Sequence, residues 1–154
     1  MKRALRLAVA GTALLAIVLF QRAATPLGAA APDFFLAATL AAPFLRRGSG
    51  GVVSLGLGGL RSSLSIDPVL PTLGFFLLAG EGASLMGSTF YGERAVLPSL
   101  LGFSAGLLAP LLRSLSPVGP PLPGAAELLL SAAGTAAASA AATAGGLVLR
   151  KLLR

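Results

Sequence analysis

The sequence predicts an all-α, polytopic membrane bundle: one integral membrane domain over residues 1–154, with six transmembrane helices and both termini in the cytoplasm. Three observations predict it. Only 11% of the residues are charged while 55% are hydrophobic; soluble domains carry about a quarter charged residues, so this chain could not cover its own surface in water. Apolar runs recur along the whole chain, separated by Arg, Pro and Gly. Finally, the basic residues alternate sides. With the N terminus inside and six crossings, Lys2, Arg3, Arg6, Arg46, Arg47, Arg94, Arg150, Lys151 and Arg154 fall inside and only Arg22, Arg61 and Arg113 outside, 9 + 3 of the 12 Lys and Arg. Cytoplasmic loops carry that excess. The inverted threading reverses the ratio, and an odd number of crossings separates the two basic termini.

A helix needs about 20 apolar residues to cross the hydrocarbon, with a range of about 17–25. The first run, about Leu5–Phe20, is preceded by Lys2 and Arg3 and followed by GAAAP. It resembles a signal peptide with an A-x-A cleavage site, but retention as a first span accords better with the charge count. The second, about Asp33–Leu45, opens on Pro32-Asp33 and stops at Arg46. The third, about Gly51–Leu60, is short and glycine-rich. It reads as a tilted or broken helix, and irregular backbone at membrane depth is tolerated only where protein or a wet cavity covers it, so this region is expected in the interior. The fourth, about Pro68–Gly87, carries Glu81. The fifth, about Ala95–Leu112, contains GFSAG. The sixth, about Ala125–Leu149, is followed by Arg150, Lys151 and Arg154, an inside anchor. Pro71 and Pro98 lie near span starts; Pro43 and Pro110 lie near ends, where proline kinks or stops a helix. Ser116–Gly124, SPVGPPLPG, is a stiff outer linker.

The composition excludes several function classes. Without Cys or His there are no disulfides, no Cys/His metal sites and no nucleophile activated by a histidine base. No phosphate-binding loop and no G-x-G-x-x-G occurs. The net charge of +7 sits in membrane flanks and lacks the aromatic platform that stacks bases, so nucleic acid is not an expected partner. No cofactor and no catalytic residue is expected.

What remains are packing residues and isolated charges. Helices in lipid associate through close packing, small residues and interhelical hydrogen bonds. Gly102 and Gly106 form a G-x-x-x-G pair, and Ser131, Thr135, Ser139 and Thr143 form a ladder at intervals of four. Either is an interface with a partner or a second copy, or packing within the bundle. The ladder hydroxyls can also bond the carbonyl four residues back. Glu81, between Gly80 and Gly82, lies well inside the fourth span. A charge there costs about 2.5–3.5 kcal/mol on translocon scales and usually faces the bundle interior or a cavity. It reads as a ligand or proton site, a partner anchor, a neutral hydrogen-bonded Glu, or a side chain reaching the interface near Arg94. Arg61 is expected to pair with Asp67 across their loop rather than with Glu81, and Asp33 to serve as a helix N-terminal charge favoured by the dipole.

The segment Pro32–Gly80 resembles the rod shape-determining membrane protein MreD family. Pro32-Asp33 opens an apolar helix, Arg46-Arg47-Gly48 forms a basic break, Gly56, Gly58 and Gly59 lie in a Gly-rich span, and Leu73-Gly74 opens the next helix. Many members carry an Asp after the Gly-rich span, where this chain has Arg61. The resemblance implies a fold similar to the six-helix substrate-binding subunits of energy-coupling-factor transporters. It also implies a non-enzymatic scaffold in the bacterial cytoplasmic membrane that docks a bitopic MreC-like partner and acts on a RodA-type glycosyltransferase and its penicillin-binding protein during lateral peptidoglycan synthesis. The alternative is a small-molecule-binding subunit of an uptake transporter, which requires a cavity lined by convergent polar groups.

Overall fold

A computed structural model describes residues 2–46, 49–65, 68–89, 96–115 and 121–152. Six α-helices follow one another: α1 (Lys2–Ala24), α2 (Phe34–Leu45), α3 (Gly50–Leu64), α4 (Val69–Thr89), α5 (Val96–Ser114) and α6 (Ala125–Leu152). A 3-10 segment, Thr25–Ala30, joins α1 to α2 and turns at Gly28, whose φ of 58° needs a residue without a Cβ. No strand occurs among the described residues. Four helices, α1 with its 3-10 extension, α4, α5 and α6, are long and apolar enough to cross a membrane, as a multi-pass membrane protein requires.

The centre of the bundle is α2. Its sequence, FFLAATLAAPFL, has one polar residue, Thr39, and that hydroxyl donates to Phe35 O at 2.9 Å. Every face can therefore be buried: Phe35, Leu36 and Leu40 are at most 1% exposed, and α2 packs on α3, α4, α5 and α6 as well as α1. With 12 residues it spans only about 18 Å, less than the hydrocarbon thickness of about 30 Å. Both of its ends thus need partners from the protein itself. Asp33 caps the N terminus, accepting from Leu36 N at 3.0 Å, and Arg150 Nη1 donates to Leu45 O at 3.0 Å beside the C terminus. An anion at the start and a cation at the end both match the helix dipole.

The third span differs from expectation in two ways. It is a continuous helix, Gly50–Leu64, and it lies at an edge of the bundle, with Val52 79% and Leu55 52% exposed. Its glycines do not break it, because one side packs closely on α4. A Cβ on Gly50 would sit 2.7 Å from Gly80 O, and one on Gly58 would sit 3.0 Å from Phe76 Cβ. Such close approach gains dispersion contact where lipid supplies no hydrophobic drive. Pro43 is followed by the end of α2 at Leu45, whereas α5 continues past Pro110 to Ser114. The expected Arg61–Asp67 pair, the reach of Glu81 toward Arg94 and the linker residues 116–120 lie outside the described residues.

Candidate functional site

Gly102 and Gly106 meet the hydroxyl ladder directly. A Cβ on Gly102 would lie 2.9 Å from Ala136 Cα and 3.0 Å from Thr135 O, and one on Gly106 2.8 Å from Ala132 Cα. These are backbone atoms, so α5 and α6 are as close as two helices with glycine on one side can be. The ladder is buried, with Ser131 5% and Thr135, Ser139 and Thr143 0% exposed. Thr135, Ser139 and Thr143 each donate to the carbonyl four residues back at 2.8 Å. Ser131 Oγ instead donates to Ala31 O at 2.9 Å, and Thr135 Oγ1 also accepts from Asp33 N–H at 3.0 Å. The two stripes join α5, α6 and the start of α2 within one chain, so another molecule has to approach a different face.

Asp33 organises one end of the bundle. Its carboxylate is 7% exposed and receives Arg61 Nε at 3.3 Å from α3 and Arg113 Nη2 at 3.5 Å from α5, both on Oδ2, while Oδ1 caps α2. Gln21 of α1 completes the cluster: its Oε1 accepts from Phe34 N–H at 2.9 Å and its Nε2 donates to Pro32 O at 3.4 Å. Four helices are thus tied to one turn. The N-terminal role of Asp33 agrees with the sequence reading, but its partners were not legible there. Arg61 and Arg113 stand 28 and 80 residues away. A signal did exist: Arg22, Arg61 and Arg113 are the three basic residues on the minority side of the charge count, and they lie together here.

Two cavities flank this cluster, and Asp33, Arg61 and Arg113 line both. The larger, about 780 Å³, adds Gln21, Arg22, Thr25, Ser65 and Ser131. The smaller, about 240 Å³, is an apolar slot between α4 and α5 formed by Pro71, Phe75, Phe76, Ala109, Leu112 and Leu115.

Glu81 does not face the interior. It is exposed on the outer side of α4, between Leu78 at 75% and Leu85 at 70% exposure. A Cβ on Gly51 would come within 2.7 Å of its Oε1, so the carboxylate lies beside the first turn of α3. The positive end of that helix dipole accounts for the orientation. Among the described residues no group of three or more acidic or metal-ligating side chains could hold a metal ion.

No family model matches the sequence, and neither a curated protein nor a solved structure is significantly similar to it.

Proposed function

We infer that this chain is a non-enzymatic membrane scaffold of the MreD type. It would dock a bitopic, MreC-like partner in the bacterial cytoplasmic membrane and so support regulation of lateral peptidoglycan synthesis by a RodA-type glycosyltransferase and its penicillin-binding protein. The observation that carries the reading is Glu81 on the exposed face of α4. A carboxylate at membrane depth costs about 2.5–3.5 kcal/mol, the start of α3 offsets about 0.3–1 kcal/mol of it, and a partner helix with a hydrogen-bond donor at that depth lowers the rest. Further along α3, Gly56 and Gly59 have nothing within 4 Å of where a Cβ would stand, which leaves room for a close helix crossing. Gly56 and Gly59 fall within Pro32–Gly80, the segment that resembles the family, and Glu81 follows it directly.

The same reading has six crossings with both termini cytoplasmic. Arg22, Arg61 and Arg113 at one end and Arg46 and Arg150 at the other accord with it. The likeness to transporter substrate-binding subunits is an analogy of fold and carries no function.

Co-purification with an MreC-like protein tests the proposal. Glu81→Leu and the pair Gly56→Leu/Gly59→Leu are expected to insert normally and lose the partner, while Glu81→Gln, which keeps a hydrogen-bonding side chain, retains part of it. Full retention by both apolar variants would sink the scaffold reading. The uptake-subunit alternative draws on the cavity at the Arg22 end, and uptake of a small solute by the protein reconstituted with transporter subunits, in the absence of an MreC-like protein, would favour it instead.

A further inference from the structure

The scaffold reading makes no use of the two cavities around Asp33, and their chemistry is specific. Arg22, Arg61 and Arg113 line one cavity, with Asp33 as the one carboxylate among its described lining residues. A guanidinium carries five N–H donors in a fixed fork, so a bridge to Asp33 and a second anion are compatible. The fork matches phosphate oxygens, and arginine is more weakly hydrated than lysine, which favours it where a charge is partly buried. Arg113 is 27% and Arg61 14% exposed at the side chain, so both stand at the boundary between the bundle interior and the surface.

The cluster also separates two environments. On one side are the amide and hydroxyls of Gln21, Thr25, Ser65 and Ser131. On the other is the apolar slot between α4 and α5, two helices that touch each other little, with Leu112 45% and Leu115 79% exposed along it. A chamber of mixed lining that holds an amide and hydroxyls beside Val18, Phe35 and Leu64, a cationic centre and an apolar slot fit an amphiphile rather than a purely polar solute. Basic residues on the translocated side oppose the charge rule that orients the chain, and Arg22, which is exposed, is a part of the cluster that the Asp33 bridges do not explain.

We propose that the Asp33 end of the bundle binds a lipid with a phosphate headgroup: the phosphate meets Arg22, Arg61 and Arg113, its polar substituent enters the larger cavity, and an acyl chain lies in the slot between α4 and α5. The site is at headgroup depth in the leaflet opposite the Arg150 end.

Native mass spectrometry of the full chain released from detergent tests this, with phosphatidylglycerol or phosphatidylcholine added at equal concentration. The wild type retains the anionic lipid preferentially. Arg22→Gln, which removes an exposed side chain, lowers phosphatidylglycerol occupancy about fivefold, the effect of one basic residue near a membrane surface, and Arg22→Lys restores most of it. Leu112→Trp, which fills the slot, lowers phosphatidylglycerol occupancy as well. The basic residues of the Arg150 end attract the same headgroup, so the Arg22-dependent part of the signal is the readout. Equal occupancy in wild type and Arg22→Gln overturns the site. Displacement of the lipid by an equal concentration of glycerol 3-phosphate, or unchanged occupancy in Leu112→Trp, overturns its assignment to a lipid.

Discussion

The backbone N–H of Asp33 donates to Thr135 Oγ1 at 3.0 Å, across 102 residues of chain. This bond joins the start of the buried helix α2 to the middle of the ladder on α6, and both residues are nearly inaccessible. It gives Thr135 a role that Ser139 and Thr143 lack. Thr135→Val keeps the shape and removes the acceptor, leaving a buried N–H without a partner. The expected loss is about 1–3 kcal/mol in thermal unfolding of the detergent-solubilised protein. Ser139→Ala, whose hydroxyl bonds only a carbonyl of its own helix, should cost clearly less.

At the same turn, two roles of Asp33 can be separated. Asn caps a helix as well as Asp does, so Asp33→Asn removes the ion pairs and keeps the cap, while Asp33→Ala removes both. Breaking a buried ion pair typically costs about 3–5 kcal/mol; Arg113 at 27% exposure is partly solvated, which places Asp33→Asn at or below the low end of that range. Asp33→Ala adds about 1 kcal/mol for the cap. Equal midpoints for the wild type and Asp33→Asn would show that the arginines contribute nothing to stability.

Glycines in this chain divide by what stands opposite them. Gly106→Ala drives a Cβ against the backbone of Ala132 and should separate α5 from α6, at a cost of about 1–3 kcal/mol in unfolding. Gly56→Ala meets nothing within 4 Å. It should stabilise α3 by about 0.5–1 kcal/mol through helix propensity alone. If Gly106→Ala unfolds at the wild-type midpoint, the close α5–α6 contact is wrong.

The alternation of ends is testable by labelling. Cysteines in place of Leu122 and of Ser49, each introduced into the naturally cysteine-free chain, lie at opposite ends of the bundle. In intact cells a membrane-impermeant maleimide should modify Leu122→Cys and not Ser49→Cys; the reverse pattern would invert the topology.

The limits of the helices were largely legible in the sequence, although α3 continues through the break at Arg61 to Leu64. The six apolar runs end at Arg, Pro, Gly or Asp, and the helices of the structure start and stop at those breaks within a few residues. For the ladder the sequence left self-bonding as one of several outcomes; the structure selects it for Thr135, Ser139 and Thr143, and Ser131 bonds Ala31 instead.

Which helix lies at the centre was not legible, and the reason is physical. In water the buried face of a helix is apolar and the exposed face polar, so the sequence records which side faces in. In lipid both faces are apolar, and that record fades. The glycines of α3 therefore suggested an interior helix, although one side alone, with Gly50, Ser54, Leu57, Gly58 and Ser62, is buried, and Val52 and Leu55 face outward. Glu81 suggested the interior for the same reason, yet α3 begins beside it and draws the carboxylate to the surface. By itself the sequence determined the number of helices and most of their limits, because those depend on local hydropathy and on the flanks. Only the tertiary structure decided that Asp33 would meet Arg61 and Arg113, and that Gly102 and Gly106 would face the ladder. Those pairings follow from the order in which five helices pack around α2, a property of side-chain shape across the whole chain that no local pattern carries.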